Sequence, residues 1–482
     1  MAVQILDRTA AMNAAVEKIR KKCIKKSCCW NLALTFTSKK LCKLKVKIYG
    51  KAVDKFTIEQ DFINNITDKI MVDLTLDRDQ YITLYYGRKD LECQVEFCHV
   101  DPTLGQADAA KRNKEQGEDF DLKFKAVVTQ YDDIFKKITV DRQWPMYWDG
   151  KCSPCRASGD RDESDRDRAT YKMKVELIST DIFLARKKML NIIAKEVVMP
   201  EMMEAAATFF GIKCQQFAKP DNKFKYTNFI VPSKGIEEIM AYYQNAPGLG
   251  IYNNGLVSYV TRYWKKIKKN CWYVYPRYGE LRKDNPIHIY SVGSNIEYGA
   301  LQWHYKCPSA GVNILINNEV DMKNWSDVGT ENEYTGYDVQ ISEKLLDGMR
   351  TLVHDGKFVI RKETSQFGDL STDAIDTKNT VRIKRVQSQA NFFKLKSELR
   401  APQGTSITFK WDFCEPWIFT PCTKVFFYYD HALQMKKITA SCEKVVYTFR
   451  QYKEKPVHPV FVCQAEVTLN SDNVQPAGKS HV

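Results

Sequence analysis

Fifteen cysteines and seven histidines are the residues of this 482-residue chain with the most chemistry to offer. One cysteine pair has motif spacing, Cys152-Ser-Pro-Cys155, the form of half a zinc site or of a redox pair. A structural zinc site needs two further ligands, and the nearest other cysteines lie more than 50 residues away on either side. Most of the remaining cysteines fall in alternating patterns, where a thiol acts as a small buried hydrophobe. Cys152 and Cys155 are therefore weak metal candidates, no cofactor is expected, and the thiols are expected to stay reduced in a cytosolic folding compartment. The histidines are scattered, with no pair at ligand spacing, so each reads as a structural side chain before it reads as a lone base.

Phosphate-loop GxxxxGK[ST], zinc-helix HExxH and nucleophile-elbow GxSxG patterns are absent. The GxG within Gly248–Gly255 follows a helical pattern rather than a strand, so it reads as a turn and not as a dinucleotide site. Asp119 and Asp121 sit in polar surroundings and read as solvated, although two-carboxylate hydrolysis does not require closeness in sequence. Aromatic residues cluster at Trp144–Trp148 and again at Trp411, Phe413, Trp417 and Phe419. Such clusters serve a core or a protein interface more often than a nucleic-acid stacking platform.

The formal charge is +14, but it is not spread evenly. Residues 1–51 hold 13 Lys or Arg against Asp7 and Glu17 alone, a net of +11, which leaves about +3 for the other 431 residues. A nearly neutral body thus carries a cationic N-terminal arm, suited to an anionic partner. Lys18, Arg20, Lys21, Lys22, Lys25 and Lys26 are its candidate contact residues.

The elements that must position these groups follow from periodicity. Residues 3–26 read as a basic helix, with Ile5, Met12, Val16, Ile19 and Cys23 at three- and four-residue spacings. From Leu44 the period becomes two. Five short strands are expected: around Leu44–Ile48, Ile70–Leu76, Tyr81–Tyr86, Leu91–Phe97 and Leu122–Val128, as in an antiparallel sheet or barrel. The mixed-charge run GDRDESDRDR within residues 149–169 is too polar to pack and reads as a linker. Residues 182–196 and 199–211 show helical spacing, and Pro232-Ser233 reads as another helix start. Trp272–Pro276 is an aromatic strand. Strands return at 311–317, 350–361, 379–386, 405–411, 423–429, 434–441, 443–450 and 459–469. No run of apolar residues is long enough for a membrane-spanning helix, and no secretory signal is expected.

Two stretches carry a family resemblance. Residues Asn228–Glu280, with the run NFIVPSKGIEEIMAYYQN leading to CWYVYP, resemble the helix, turn and aromatic strand of baseplate hub proteins from contractile-tailed bacteriophages. Residues Phe419–Leu469, with KVFFYYDH, a return strand and FVCQAEVTL, look like the closing tail-tube-type β domain of such hubs. The β, α/β, β block order is similar to the T-even hub and to the base of type VI secretion spike proteins. The arm at 1–40 and the CSPC–GDRDESDRDR segment have no counterpart in that pattern.

The resemblance implies an α+β, mainly β fold with two tail-tube-like antiparallel β-barrel domains, an inserted α/β domain and a peripheral domain. Its expected boundaries are an arm at 1–40, a first tube-like domain at 41–148 and the linker at 149–169. An α/β domain at 170–300, a peripheral domain at 301–369, a second tube-like domain at 370–470 and a tail at 471–482 follow. The implied role is structural and non-enzymatic: a homotrimeric ring in the virion's tail baseplate that adapts a sixfold tube to a threefold spike. Implied partners are the tail tube, central spike, baseplate wedge and tape-measure proteins, with DNA passage through the ring and assembly in the host cytoplasm. Tyr85 and Tyr86, and Tyr428 and Tyr429, would be corresponding strand ends of the two β domains at ring interfaces. A nucleic-acid-binding virion protein using the cationic arm is the alternative.

Overall fold

Alternating apolar and polar residues dominate the chain, and the computed structural model turns most of them into strands. The structure describes residues 10–22, 24–27, 29–38, 44–100, 120–132, 170–263, 266–278, 282–292, 303–307, 311–316, 319–324, 337–342, 359–362, 380–383, 393, 405–431, 434–451 and 460–471.

Helix α1 (Ala10–Lys22) is followed by strands β1 (Ile24–Ser27), β2 (Cys29–Ser38), β3 (Leu44–Tyr49), β4 (Val53–Asp61) and β5 (Lys69–Leu76). Helix α2 (Arg78–Gly87) leads to β6 (Leu91–Val100), β7 (Phe120–Tyr131) and β8 (Tyr171–Ser179). An α/β insert comes next: α3 (Thr180–Ala185), β9 (Leu190–Val198), α4 (Met199–Phe210) and β10 (Cys214–Phe217). It continues with β11 (Lys225–Lys234), α5 (Ile239–Asn245), β12 (Leu256–Tyr263) and β13 (Lys266–Pro276). Then come β14 (Arg282–Ser291), β15 (Trp303–Cys307), β16 (Gly311–Ile316), β17 (Val320–Asn324), β18 (Tyr337–Ser342), β19 (Val359–Lys362) and β20 (Thr380–Ile383). The last four are β21 (Thr405–Asp412), β22 (Thr423–His431), β23 (Gln434–Gln451) and β24 (Phe461–Asn470).

Hydrogen-bonded neighbours run β23–β4–β5–β8–β7–β6–β2–β24 and return to β23, so eight antiparallel strands close a barrel. Eight strands leave an interior that side chains alone can fill. Here Trp30, Phe56, Phe97 and Phe449 meet edge to face, at centroid separations of 5.4 to 6.2 Å. A second β body is built on the same last strands. Gln434–Ala440 of β23 pair with β22, which pairs with β14, and β14 with β16. On the other side β24 pairs with β21, and β21 with β17. One continuous core runs through both bodies, from Trp30 and Phe36 to Ile289, Ile314 and Phe427. The strands β18, β19 and β20 form a small sheet of their own.

The insert has its own core of Met199, Met203, Phe210, Ile239, Tyr243 and Trp272. Helix α4 begins where Glu201 accepts a hydrogen bond from the Val198 N–H (3.0 Å) and ends on Gly211, whose φ of +84° suits glycine. Strand β12 joins this core to the barrel, because Val257 and Tyr259 face the barrel core while Val260 faces the insert.

Several expectations need correction. Tyr81–Tyr86 is helical, within α2, because the Asp77 carboxylate caps the Gln80 N–H (2.8 Å) and Tyr81 and Leu84 share one buried face. The arm does not reach residue 40: the helix stops at Lys22, and Trp30, Leu32, Leu34 and Phe36 alternate into the barrel core. In 182–196 the helical turn ends at Ala185 and β9 follows from Leu190. Pro232 and Ser233 belong to β11, and the helix starts later, at Ile239. The strands expected at 434–441 and 443–450 are one 18-residue strand, β23. Through it and β24, residues 434–470 complete the first barrel as well as the second β body.

Candidate functional site

Helix α1 lies on the outer face of the second β body. Met12 and Val16, one turn apart, are buried against Tyr290, Val292 and Leu315, with Ala15, Tyr428 and Met435 at the margin. Strand β1 continues the docking by pairing antiparallel with β15, Ile24 opposite Lys306 and Ser27 opposite Trp303. The cationic segment is therefore fastened to the sheet along both elements. Lys18 is exposed on the helix, Arg20, Lys21 and Lys22 occupy its last turn, and Lys25 and Lys26 occupy β1. Cations at a helix C-terminus also complement its macrodipole.

Beneath and beside α1 runs an aromatic stack. Tyr428 lies parallel to Tyr290 (centroids 4.5 Å, 6° between planes) and to His288 (6.0 Å, 11°). The Tyr428 hydroxyl and His288 Nδ1 are 3.2 Å apart. Phe426 extends the row, with Lys437 Nζ 4.0 Å and Lys424 Nζ 5.0 Å from its ring centre. Burial raises the Tyr428 phenol, and its hydrogen bond with Tyr290 only partly offsets this, so the hydroxyl stays neutral.

The four tyrosines expected as equivalent interface residues are not brought together. Tyr85 and Tyr86 lie on α2, where Tyr85 carries the Arg88 guanidinium over its ring (3.9 Å) and Tyr86 is 49 % exposed. Tyr428 and Tyr429 lie on β22 and point to opposite faces, Tyr428 toward α1 and Tyr429 toward the main core. The two Tyr-Tyr pairs thus belong to different kinds of element.

Sequence reasoning missed a heavily bonded polar cluster. The Asp68 carboxylate accepts from Gln60 Nε2 (2.9 Å), the Tyr259 hydroxyl (3.1 Å), Thr261 Oγ1 (2.9 Å) and Trp417 Nε1 (2.8 Å). These donors come from β4, from β12 and from the segment before β22, so one carboxylate ties the barrel, the insert and the second β body together. Burial raises the Asp68 carboxyl, and the donated hydrogen bonds with the nearby Arg262 charge oppose that rise. Burial likewise lowers the Arg262 guanidinium to about 10, with Asp68 and Asp181 pulling it back up. A carboxylate with four donors already in place has its acceptor capacity filled, so Asp68 is a clamp and not a general base. Asp68 stands directly before β5 and belongs to no motif, so the sequence carried no signal for it.

Cys152, Cys155 and the Trp144–Trp148 cluster lie outside the described residues. Trp411, Trp417 and Phe419 are core residues. Among the described residues no group of three or more His, Cys, Asp or Glu side chains is placed to hold a metal ion, and no helix is long and apolar enough to cross a membrane.

No family model matches the chain. No curated protein matches it in sequence. Among solved structures it is similar to phage tail and type VI secretion proteins, all at low identity. The 43 kDa tail protein of prophage MuSo2 from Shewanella oneidensis is 7% identical over 92% of this chain and 99% of that one, with a TM-score of 0.39. The tail protein from Neisseria meningitidis MC58 is 11% identical over 92% and 97%, with a TM-score of 0.37. A chain of the Francisella PdpA-VgrG complex is 8% identical, with a TM-score of 0.36; the match covers 94% of this chain and spans about half of the other, 54%.

Proposed function

We propose that this chain is a structural hub of a contractile tail baseplate, a non-enzymatic ring subunit that joins a sixfold tube to a threefold spike. The observation that carries the reading is the sharing of β23 and β24 between a closed barrel and a second β body. Two β bodies locked in one chain would let three subunits present six similar units, as the sequence resemblance implies, and a closed ring is the economical symmetry solution. The insert, carried on β12, would then face outward. The filled acceptor set of Asp68 and the mainly core placement of the described cysteines favour a structural role over chemistry.

In this reading the docked α1–β1 segment, with Lys18, Arg20, Lys21, Lys22, Lys25 and Lys26, meets an acidic baseplate surface or the nucleic acid that passes through the ring. Tyr86, exposed on α2, would meet a ring neighbour, whereas Tyr428 packs against the chain's own α1. Light scattering on purified protein tests the ring directly. The expected mass is three times the 55.9 kDa of one chain. A strict monomer that also never enters tail particles would overturn the reading.

A further inference from the structure

Among the described residues two cysteine pairs meet. Cys214 opens β10 and Cys271 lies in β13; the strands run parallel, and the two residues are direct partners in register. Neighbouring strands lie about 4.8 Å apart, inside the Cα separation that a disulfide spans. The two Sγ atoms are 2.7 Å apart, so bond formation asks for side-chain rotation and no backbone movement. The second pair, Cys414 and Cys463, has its sulfurs 3.2 Å apart, and both residues are wholly shut off from solvent. There the Cys414 thiol also lies 3.3 Å from the Cys463 carbonyl oxygen, a hydrogen bond open only to the reduced form.

We propose that Cys214 and Cys271 form a redox-responsive pair that closes into a disulfide when the folded protein meets a low-molecular-weight disulfide. Cys214 is the entry point, since it is half-buried while Cys271 is buried. Its thiolate attacks one sulfur of the small disulfide and releases one equivalent of small thiol, leaving a mixed disulfide on Cys214. Cys271 then gives up its proton, attacks the Cys214 sulfur and expels the second equivalent. Two protein thiols become one disulfide, two small thiols are formed, and two electrons pass from the cysteines to the small disulfide. Burial and the bond with Cys214 hold the Cys271 thiol high, with Arg282 pulling the other way, so its attack depends on the mixed disulfide being held beside it on Cys214.

The consequence is mechanical. Strand β10 has four residues, all half-buried, and among the described strands it pairs with β13 alone. A covalent link between positions 57 residues apart fastens the α4–β10 side of the insert to its central strand. The insert is therefore stiffer in an oxidising medium than in a reducing one. This holds whether or not the chain is a baseplate hub.

The full-length protein is reduced, desalted and treated, still folded, with oxidised glutathione. Remaining thiols are then alkylated in urea, and the digest is read by mass spectrometry. The expected product is a peptide carrying Cys214 joined to Cys271, with Cys414 and Cys463 alkylated. The thermal midpoint should rise by several degrees and fall back on adding dithiothreitol. Cys271→Ser should stop at a glutathione adduct on Cys214 and show no rise. Three results would each overturn the proposal: both cysteines alkylated after treatment, glutathione retained on Cys214 of the unaltered chain, or Cys414–Cys463 oxidised first.

Discussion

Asp68 and Asp61 stand seven positions apart and meet their surroundings in opposite ways. Asp68 closes a network in which removal of the carboxylate takes the shared acceptor from four donors. Of these, Gln60 keeps a bond to Thr261 Oγ1 (2.8 Å), and Arg262 is left with Asp181 as its nearby counter-charge. Asp68→Ala should lower stability by roughly 2–4 kcal/mol, read from urea midpoints. A loss within experimental error would mean that water replaces the carboxylate and that the clamp is dispensable. Asp61 is different: burial pushes its carboxyl up, but bonds from the Asn64 side chain (3.0 Å), Asn64 N–H (2.9 Å) and Ile63 N–H (3.1 Å) together hold it below its ordinary value. A carboxyl lower in the folded than in the unfolded chain stabilises above about pH 4 and loses that contribution as pH falls through the depressed value. Asp61→Asn should therefore flatten the acid limb of the stability profile below about pH 4 and leave its neutral slope unchanged. Parallel profiles for the two proteins would rule that out.

At the scale of elements, the docked N-terminal segment is where charge and packing separate most cleanly. Met12 and Val16 hold α1 to the sheet, and Lys18 projects away from it. Changing Lys18, Arg20, Lys21 and Lys22 together to Gln leaves that apolar contact intact. Binding to an anionic partner, with heparin as the probe, should then weaken, and its salt dependence should become shallower. Unchanged binding and salt slope would show that the segment is a structural strap alone. Periodicity in the sequence located this helix but overextended it to residue 26, because the apolar spacing ran on to Cys23 while the pairing of β1 with β15 cannot be seen from one strand. The helix α2 was legible in principle, since Asp77 and Gln80 have capping spacing. The aromatic run after them resembled a strand more strongly, and tertiary burial of Tyr81 and Leu84 decided the outcome.

For the whole molecule, the sharing of β23 and β24 means that the chain's last strands complete its first barrel. A chain ending at residue 460 removes β24, which pairs with β23, β21 and β2. It should show no cooperative unfolding transition by circular dichroism. A surviving transition with barrel-like strand signal would mean that the first barrel closes without β24. The mainly β class and the core face of most expected strands were readable from alternation, because side chains on a strand take opposite sides whatever the strand later pairs with. The strand count was not, since fourteen were expected, one of them is helix α2, two are one strand, and the described residues hold twenty-four. What only the tertiary structure decided is which strands meet. That β2 belongs to the barrel, that one 18-residue strand serves two bodies, and that Cys214 faces Cys271 all depend on register between segments far apart in the chain. Register is set by mutual burial, a property of pairs of segments that no single stretch of sequence carries.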